Sequence, residues 1–250
     1  MTFSLSAAGV RGILLDIEGT TTPLAFVHEV LFPYAREQVK NYLNEHFNSN
    51  QVQTDLLLLS EEHASDIAQG RTPPSLVGES ANESIASVAA YVYWLMERDR
   101  KSTGLKSLQG KIWQQGYRVG TLKSLVFEDV PPALERWHEA NLKTSIFSSG
   151  SVLAQKLLFA HTEAGDLTGF IHSYFDTRTG PKTEHESYRR IARMLELPPS
   201  QILFISDATD ELNAASTTGI HTRLCARPGN HPQPSASQQQ TIRSFDEITK

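Results

Sequence analysis

The chain has 250 residues, is 39% hydrophobic and 20% charged, and carries a net charge of −5. That length buries a substantial core, either as one large domain or as a core with a smaller second unit. The mild negative charge offers no general surface for nucleic acid, and no apolar stretch approaches the ~20 residues of a membrane-spanning helix.

An anionic ligand would therefore need local positive charge at its own site. The single cysteine, Cys225, closes no intrachain disulfide and lies at the end of an apolar run, which reads as packing. Without a recognisable secretory leader, the expected location is cytoplasmic.

In chain order, Ile13, Leu14 and Leu15 form a short apolar run that reads as a buried strand. It ends at Asp16, Glu18 follows two residues on, and Gly19 breaks the pattern. Helical spacing then runs from 26 to 47 through Val27, Val30, Leu31, Tyr34, Val39, Tyr42, Leu43 and Phe47, with Pro33 starting or kinking a helix inside it. Residues 48–53 read as a turn, 54–69 as a second helix and the Pro- and Gly-containing stretch 70–80 as a loop. Residues 84–101 and 105–115 give a third and a fourth helix. From about 24 to about 120 no strand signal appears, so a helical block follows the first strand directly.

Alternation then begins. Residues 131–140 predict a helix opened by prolines, 143–147 a strand, 152–161 a helix, 170–175 a short strand, and 184–195 a helix. Residues 202–205 predict a strand, 208–217 a helix and 220–225 a strand. Strand and helix in turn mean an α/β fold whose parallel sheet is covered on both faces. The expected domains are an α/β core of residues 1–23 and 121–250 and a helical cap of 24–120. The Pro-, Ser- and Gln-rich residues 228–240 read as loop.

Four polar clusters share one expected position, the C-terminal edge of the sheet, where ligands bind in open α/β folds. Asp16 and Glu18 end the first strand, as nucleophile or metal ligands on one reading and as solvated turn acids on the other. Ser148-Ser149-Gly150 precedes a helix, as a phosphate cradle or as a plain cap. Lys182 sits on a Gly-Pro turn, either solvated or supplying positive charge to a phosphate. Asp207 follows a strand and either caps a helix or faces Asp16, with Glu211 one turn beyond. Asp16, Glu18 and Asp207 brought together repel one another unless a cation bridges them, and hard oxygen donors with open positions argue for Mg²⁺. The nine scattered histidines give no zinc pattern and read as structural or surface residues.

In this order the four clusters resemble the motifs of the haloacid-dehalogenase-like phosphatases, with a Rossmann-like core and an inserted helical cap. Two departures narrow the resemblance: Glu18 stands where most such phosphatases have Asp, and Ser206 where Gly is common. Asp16-Ile17-Glu18-Gly19-Thr20-Thr21 is similar to the opening of the enolase-phosphatases of methionine salvage, also called acireductone synthases. Further stretches agree, among them Leu31-Phe32-Pro33-Tyr34, Gln155-Lys156-Leu157-Leu158-Phe159 and Arg227-Pro228-Gly229-Asn230.

The resemblance implies enolisation of 2,3-diketo-5-methylthiopentyl-1-phosphate, then hydrolysis of its phosphate to leave 1,2-dihydroxy-3-keto-5-methylthiopentene. It implies Asp16 as nucleophile and Glu18 as acid–base residue. Phosphate would be held by Lys182, Ser148 and Ser149, and one Mg²⁺ per monomeric chain by Asp16, Asp207 and, through its backbone carbonyl, Glu18. Two alternatives stay open: a phosphatase of another small phosphorylated metabolite, and a non-catalytic Mg²⁺-dependent binding module.

Overall fold

The computed structural model describes residues 2–230 and 240–249. The chain divides into two compact units, Met1–His28 with Lys123–Lys250, and Glu29–Leu122. In the first, β1 (Phe3–Ser4) and β2 (Gly12–Leu15) precede the second unit. Four helices make up that second unit: α1 (Phe32–His46), α2 (Asn50–Ala68), α3 (Ala81–Glu97) and α4 (Thr103–Arg118). The chain then returns with α5 (Val130–Glu139), β3 (Lys143–Phe147), α6 (Val152–Ala160), β4 (Ser173–Phe175), α7 (His185–Leu195) and β5 (Ile202–Ser206). It closes with α8 (Thr209–Ser216), β6 (His221–Cys225), β7 (Thr241–Ile242) and β8 (Ile248–Thr249).

Six strands form one parallel sheet in the order β4-β3-β2-β5-β6-β7, so the first long strand lies in the middle. The short β1 and β8 pair separately. Period-2 alternation sorts the side chains. Ile13 and Leu15 of β2 with Leu203 and Ile205 of β5 pack on one face against Leu134 and Trp137 of α5. Leu14 and Phe204 pack on the other against Tyr188, Ile191 and Leu195 of α7 and Leu212 of α8. Helices on both faces explain why these strands read as unbroken apolar runs.

The helical unit is defined by its caps and core. Ser49 caps α2 by accepting from Val52 N, Ser80 and Glu83 form a reciprocal capping box on α3, and Ser102 caps α4 through Leu105 N. Ala35, Val39 and Leu43 of α1 are fully buried, as are Leu59, Val92 and Leu108 of the other helices. Trp113 Nε1 donates to Leu31 O at 2.8 Å. At Gly116 an added Cβ would meet the Tyr34 ring at 2.7–2.8 Å, so α4 and α1 approach closely there.

Several elements differ from the sequence expectation. The helix expected over 26–47 is π-helical over Phe26–Leu31 and α-helical from Phe32, with Pro33 in its first turn. The segment read as a turn at 48–53 is the start of α2, because Ser49 is a cap and not a turn residue. Helix α3 ends at Glu97, before Asp99 takes the left-handed conformation (φ 45°). The strand expected over 170–175 is a 3-10 turn at Thr168–Phe170 followed by the three residues of β4. Of the loop read at 228–240, residues 231–239 lie outside the described residues. No helix among the described residues is long and apolar enough to cross a membrane.

Candidate active site

The parallel register fixes where the polar clusters emerge. Leu15 of β2 pairs with Ile146 of β3 and Ile205 of β5, so Asp16, Ser148 and Asp207 all leave the sheet at its C-terminal edge. Asp16 is buried at 5% exposure, and its backbone N donates to Ile205 O at 3.0 Å.

Lys182 reaches this carboxylate from the turn before α7. Ser187 Oγ donates to Pro181 O and Tyr188 OH to Lys182 O, both at 2.7 Å, so the helix's own first turn holds the lysine backbone. Lys182 Nζ then donates at 2.6 Å to Asp16 Oδ1 and at 2.6 Å to Glu211 Oε2. Its side chain is only 9% exposed. Burial pushes the ammonium's pKa down, but the Asp16 and Glu211 carboxylates more than compensate, so it stays protonated. The solvated reading of Lys182 is thereby excluded.

Ser206, the residue that departs from the usual Gly, places Oγ 2.9 Å from Glu211 Oε2 and 3.3 Å from Asp16 Oδ2. Its single proton serves one carboxylate at a time, and Ala208 N donates back to it at 3.1 Å. Asp207 is not a cap: the N-cap of α8 is Ala208, with no side-chain cap bond. Burial, then the charges of Asp16 and Glu18, push the Asp207 carboxyl up to about 7 against the opposing pull of Lys182. Burial and Asp16 likewise raise Glu211.

Ser148 stands one residue beyond β3. Its N donates to Phe175 O at 3.1 Å and its Oγ accepts from Gly150 N at 3.1 Å. It is not a helix cap either, since Ser151 fills that role for α6. Gln155, reaching back from α6, donates from Nε2 to Gly150 O and to Phe175 O, both at 2.8 Å, and so ties the 148–150 turn to the end of β4. Ser149 is exposed at the tip of this turn.

The structure thus brings Asp16 and Lys182 into direct contact and sets Asp16 and Glu18 within electrostatic reach of Asp207. Ser148 and Ser149 follow the adjacent strand β3 at the same edge. Glu18 Oε2 lies 3.9 Å from His28 Nε2. The sequence reading left His28 among surface residues and gave Glu211 no role. The one available signal for Glu211 was its i+4 spacing from Asp207. Arg100 donates to the buried Asp66 at 2.6 Å inside the helical unit.

The residues fit a divalent cation. Four carboxylates crowd one edge while Lys182 is committed to two of them, and the repulsion that raises Asp207 is what a bound cation would relieve. Among the described residues no three His, Cys, Asp or Glu side chains are grouped to hold a metal. The donors at this edge are carboxylate oxygens, hard ligands that suit Mg²⁺ better than zinc. Gly19 (φ +69°) leaves no room for a Cβ against Asp207 Oδ2, so the turn after Asp16 packs directly on the second acid.

Comparison with known proteins gives the family of the chain. A family model described as haloacid dehalogenase-like hydrolase matches residues 10–219. An enolase-phosphatase E1 of Synechococcus elongatus is 53% identical over 239 residues, which cover 96% of this chain and 98% of that protein. A probable bifunctional methylthioribulose-1-phosphate dehydratase/enolase-phosphatase E1 of Arabidopsis thaliana is 44% identical over 95% of this chain, which spans 48% of the plant protein. The crystal structure of the UTR4 protein of Saccharomyces cerevisiae, 34% identical, superposes with a TM-score of 0.77 over 95% of this chain and 99% of its own. The chain belongs to the enolase-phosphatase family of the haloacid dehalogenase-like hydrolases.

Proposed function

We propose that this chain converts 2,3-diketo-5-methylthiopentyl-1-phosphate to 1,2-dihydroxy-3-keto-5-methylthiopentene and phosphate, as a Mg²⁺-dependent enolase-phosphatase of L-methionine salvage. The observation that carries the reading is the buried Asp16–Lys182 contact at 2.6 Å at the sheet's C-terminal edge, on a chain 53% identical to an enolase-phosphatase. The Arabidopsis relative, whose name pairs the activity with a methylthioribulose-1-phosphate dehydratase, supports a phosphorylated methylthio sugar as the substrate class.

Asp16 attacks phosphorus and forms an aspartyl-phosphate while the P–O bond to the substrate breaks. Lys182 neutralises the charge that gathers between nucleophile and phosphate, and Ser148 and the N–H of Ser149 hold the remaining phosphate oxygens. Glu18 protonates the leaving oxygen, then takes a proton from the water that hydrolyses the aspartyl-phosphate. Its carboxylate is one methylene longer than Asp, a reach that also lets it take the proton next to the carbonyl in the enolisation. Asp16, Asp207 and the backbone carbonyl of Glu18 would hold Mg²⁺, which when bound would supply charge neutralisation at the phosphate and polarisation of the carbonyl. Phosphoryl transfer asks chiefly for positioning and charge stabilisation, which this set provides. The chain acts as a monomer in the cytoplasm on a small-molecule substrate, with no nucleic-acid or membrane partner.

Single-turnover absorbance with the diketopentyl phosphate and Mg²⁺, followed beside phosphate release, tests the proposal. An enol signal that precedes phosphate is expected. Phosphate released with no enediol absorbance would leave a phosphatase of another small metabolite, and no release from any phosphate ester would leave a binding module. A Glu18→Gln variant that loses dephosphorylation but keeps full enolisation would remove Glu18 from the first step.

A further inference from the structure

The segment Arg227-Pro228-Gly229-Asn230, which follows β6, takes no part in the chemistry above, yet it grips the loop that carries the nucleophile. Arg227 Nε donates to Thr20 O at 3.2 Å, while its Nη1 is held by Asp129 Oδ2 at 2.8 Å and Arg243 O at 2.9 Å. The guanidinium lies over the rings of Phe127 and Phe245, 4.5 and 4.8 Å from their centroids. Asn230 Nδ2 donates to Gly19 O at 2.9 Å and to Cys225 O at 3.2 Å. Two consecutive carbonyls after Glu18 are therefore fixed from one short segment.

The amide of Asn230 leaves something over. Its two N–H groups face two carbonyls, which sets the amide's orientation and turns Oδ1 the other way. Oδ1 is buried and has no hydrogen-bond donor among the described residues. A Cβ built on Gly19 would touch both Asp207 Oδ2 and Asn230 Oδ1, the latter at 2.9 Å, so the two oxygens converge over the same Cα. With Asp207 ionised, as a cation ligand must be, both are acceptors. A buried acceptor beside a carboxylate is costly unless a donor lies within reach of it, and the neighbouring glycine supplies none.

We propose that Asn230 is a positioning residue for the cation site: Oδ1 accepts a hydrogen bond from a water carried by the divalent cation that Asp207 holds, while Nδ2 clamps the Gly19 turn. The inference rests on the reading of Asp16 and Asp207 as cation ligands. Mg²⁺ keeps several of its waters when bound, and groups that orient those waters tune the affinity of the site. Pairing the clamp and the acceptor in one side chain couples the backbone after Glu18 to the hydration shell of the cation.

Mn²⁺ binding to the metal-free protein, followed by electron paramagnetic resonance beside melting temperatures without metal, provides the test. Asn230→Ala is expected to weaken Mn²⁺ binding about 10- to 100-fold. Asn230→Asp, which keeps an oxygen at that place and adds charge, is expected to recover that loss. Wild-type affinity in Asn230→Ala would overturn the inference, as would an Asn230→Asp variant no tighter than Ala, because Asn230 would then only tie down Gly19. If Asn230→Ala does not fold, Asn230→Asp decides alone: affinity equal to or above wild type supports the inference, and weaker affinity overturns it. If wild type and Asp207→Asn alike fail to bind Mn²⁺, the cation reading itself falls, and the inference with it.

Discussion

Each unit of the chain buries a carboxylate among cations, and the two clusters balance differently. In the helical unit Asp66 accepts from Arg71 at 2.7 Å and Arg100 at 2.6 Å on one oxygen and from Tyr91 OH at 2.9 Å on the other. Both guanidiniums remain about a third exposed (36% and 35%), so their surplus charge is hydrated. In the core, the side chains of Lys182, Asp16 and Glu211 are 9%, 8% and 15% exposed, and one ammonium faces Asp16, Glu211 and Asp207. The first cluster satisfies itself. The second keeps dry, unbalanced negative charge, a condition that structure alone does not favour and that binding a cation and a phosphate would relieve.

Substitutions probe this contrast with effects that run from large to negligible. Asp16→Asn should cut phosphate release on the order of 10⁴-fold or more while far-UV circular dichroism stays native, since the lost oxygen is the attacking one. A variant that keeps a tenth of the activity would make Asp16 a ligand only. Lys182→Met should lower kcat about 10²- to 10³-fold on an aryl phosphate. Lys182→Arg should not restore it, because the larger planar guanidinium does not match the point-like ammonium held between Asp16 and Glu211 in so buried a slot; full rescue would mean that charge alone matters there.

Asp66→Asn should act on stability. It leaves two arginines and a phenol without their anion, and urea unfolding should show a loss near the lower end of about 3–5 kcal/mol, given the guanidiniums' partial hydration. The effect carries a pH signature. Burial raises the Asp66 carboxyl, but the hydrogen bonds of Tyr91 and Arg71 and the charges of both arginines hold it below its ordinary value. A depressed folded pKa stabilises above the unfolded value of about 3.9 and is lost as pH falls through the folded one. The gap in melting temperature between wild type and Asp66→Asn should therefore be full at neutral pH and close below about pH 4. A gap that is constant with pH would assign the effect to packing.

Gln155→Leu removes a donor from Gly150 O and from Phe175 O, the latter keeping Ser148 N, and should cost about 1–3 kcal/mol of stability. If the 148–150 turn cradles phosphate, competitive inhibition by inorganic phosphate should weaken more than kcat falls. Arg36→Ala, which breaks an exposed pair with Glu97, should shift stability by less than about 0.5 kcal/mol. A larger loss would show that exposed pairs count in the helical unit.

What could be read from the sequence follows from how local each signal is. β2 and β5 are apolar runs because both sheet faces are covered, and they are legible at once; β3, Lys143-Thr144-Ser145-Ile146-Phe147, is apolar only at its end. β1, β7 and β8, two residues each, carry no periodicity and exist only through their partners. Helix α2 was started late because Asn48-Ser49-Asn50 has turn composition, and only the bond from Val52 N shows Ser49 to be a cap. At the site, Asp16, Ser148, Lys182 and Asp207 were visible as polar residues ending strands or opening helices. Glu211 reads as an ordinary acid in a first helical turn, and only the fold shows it buried on Lys182. Asn230 meets Gly19 across 211 residues, a pairing that no local pattern announces.

The central place of β2 has a consequence in time. Its neighbours are the strands that begin at Lys143 and Ile202. At translation rates of about 5–20 residues per second, β2 waits roughly ten to forty seconds on the ribosome before β5 is made. Until β3 is made this apolar strand lacks both of its hydrogen-bonding neighbours, and until β5 is made it still lacks one. The helical insertion emerges during that wait, and its short-range contacts can form early. Cells that make this chain quickly should therefore show dependence on holdase chaperones for the nascent core, and pulse-proteolysis of stalled ribosomal chains should find Asp16 protected only after the residues of β5 have left the exit tunnel.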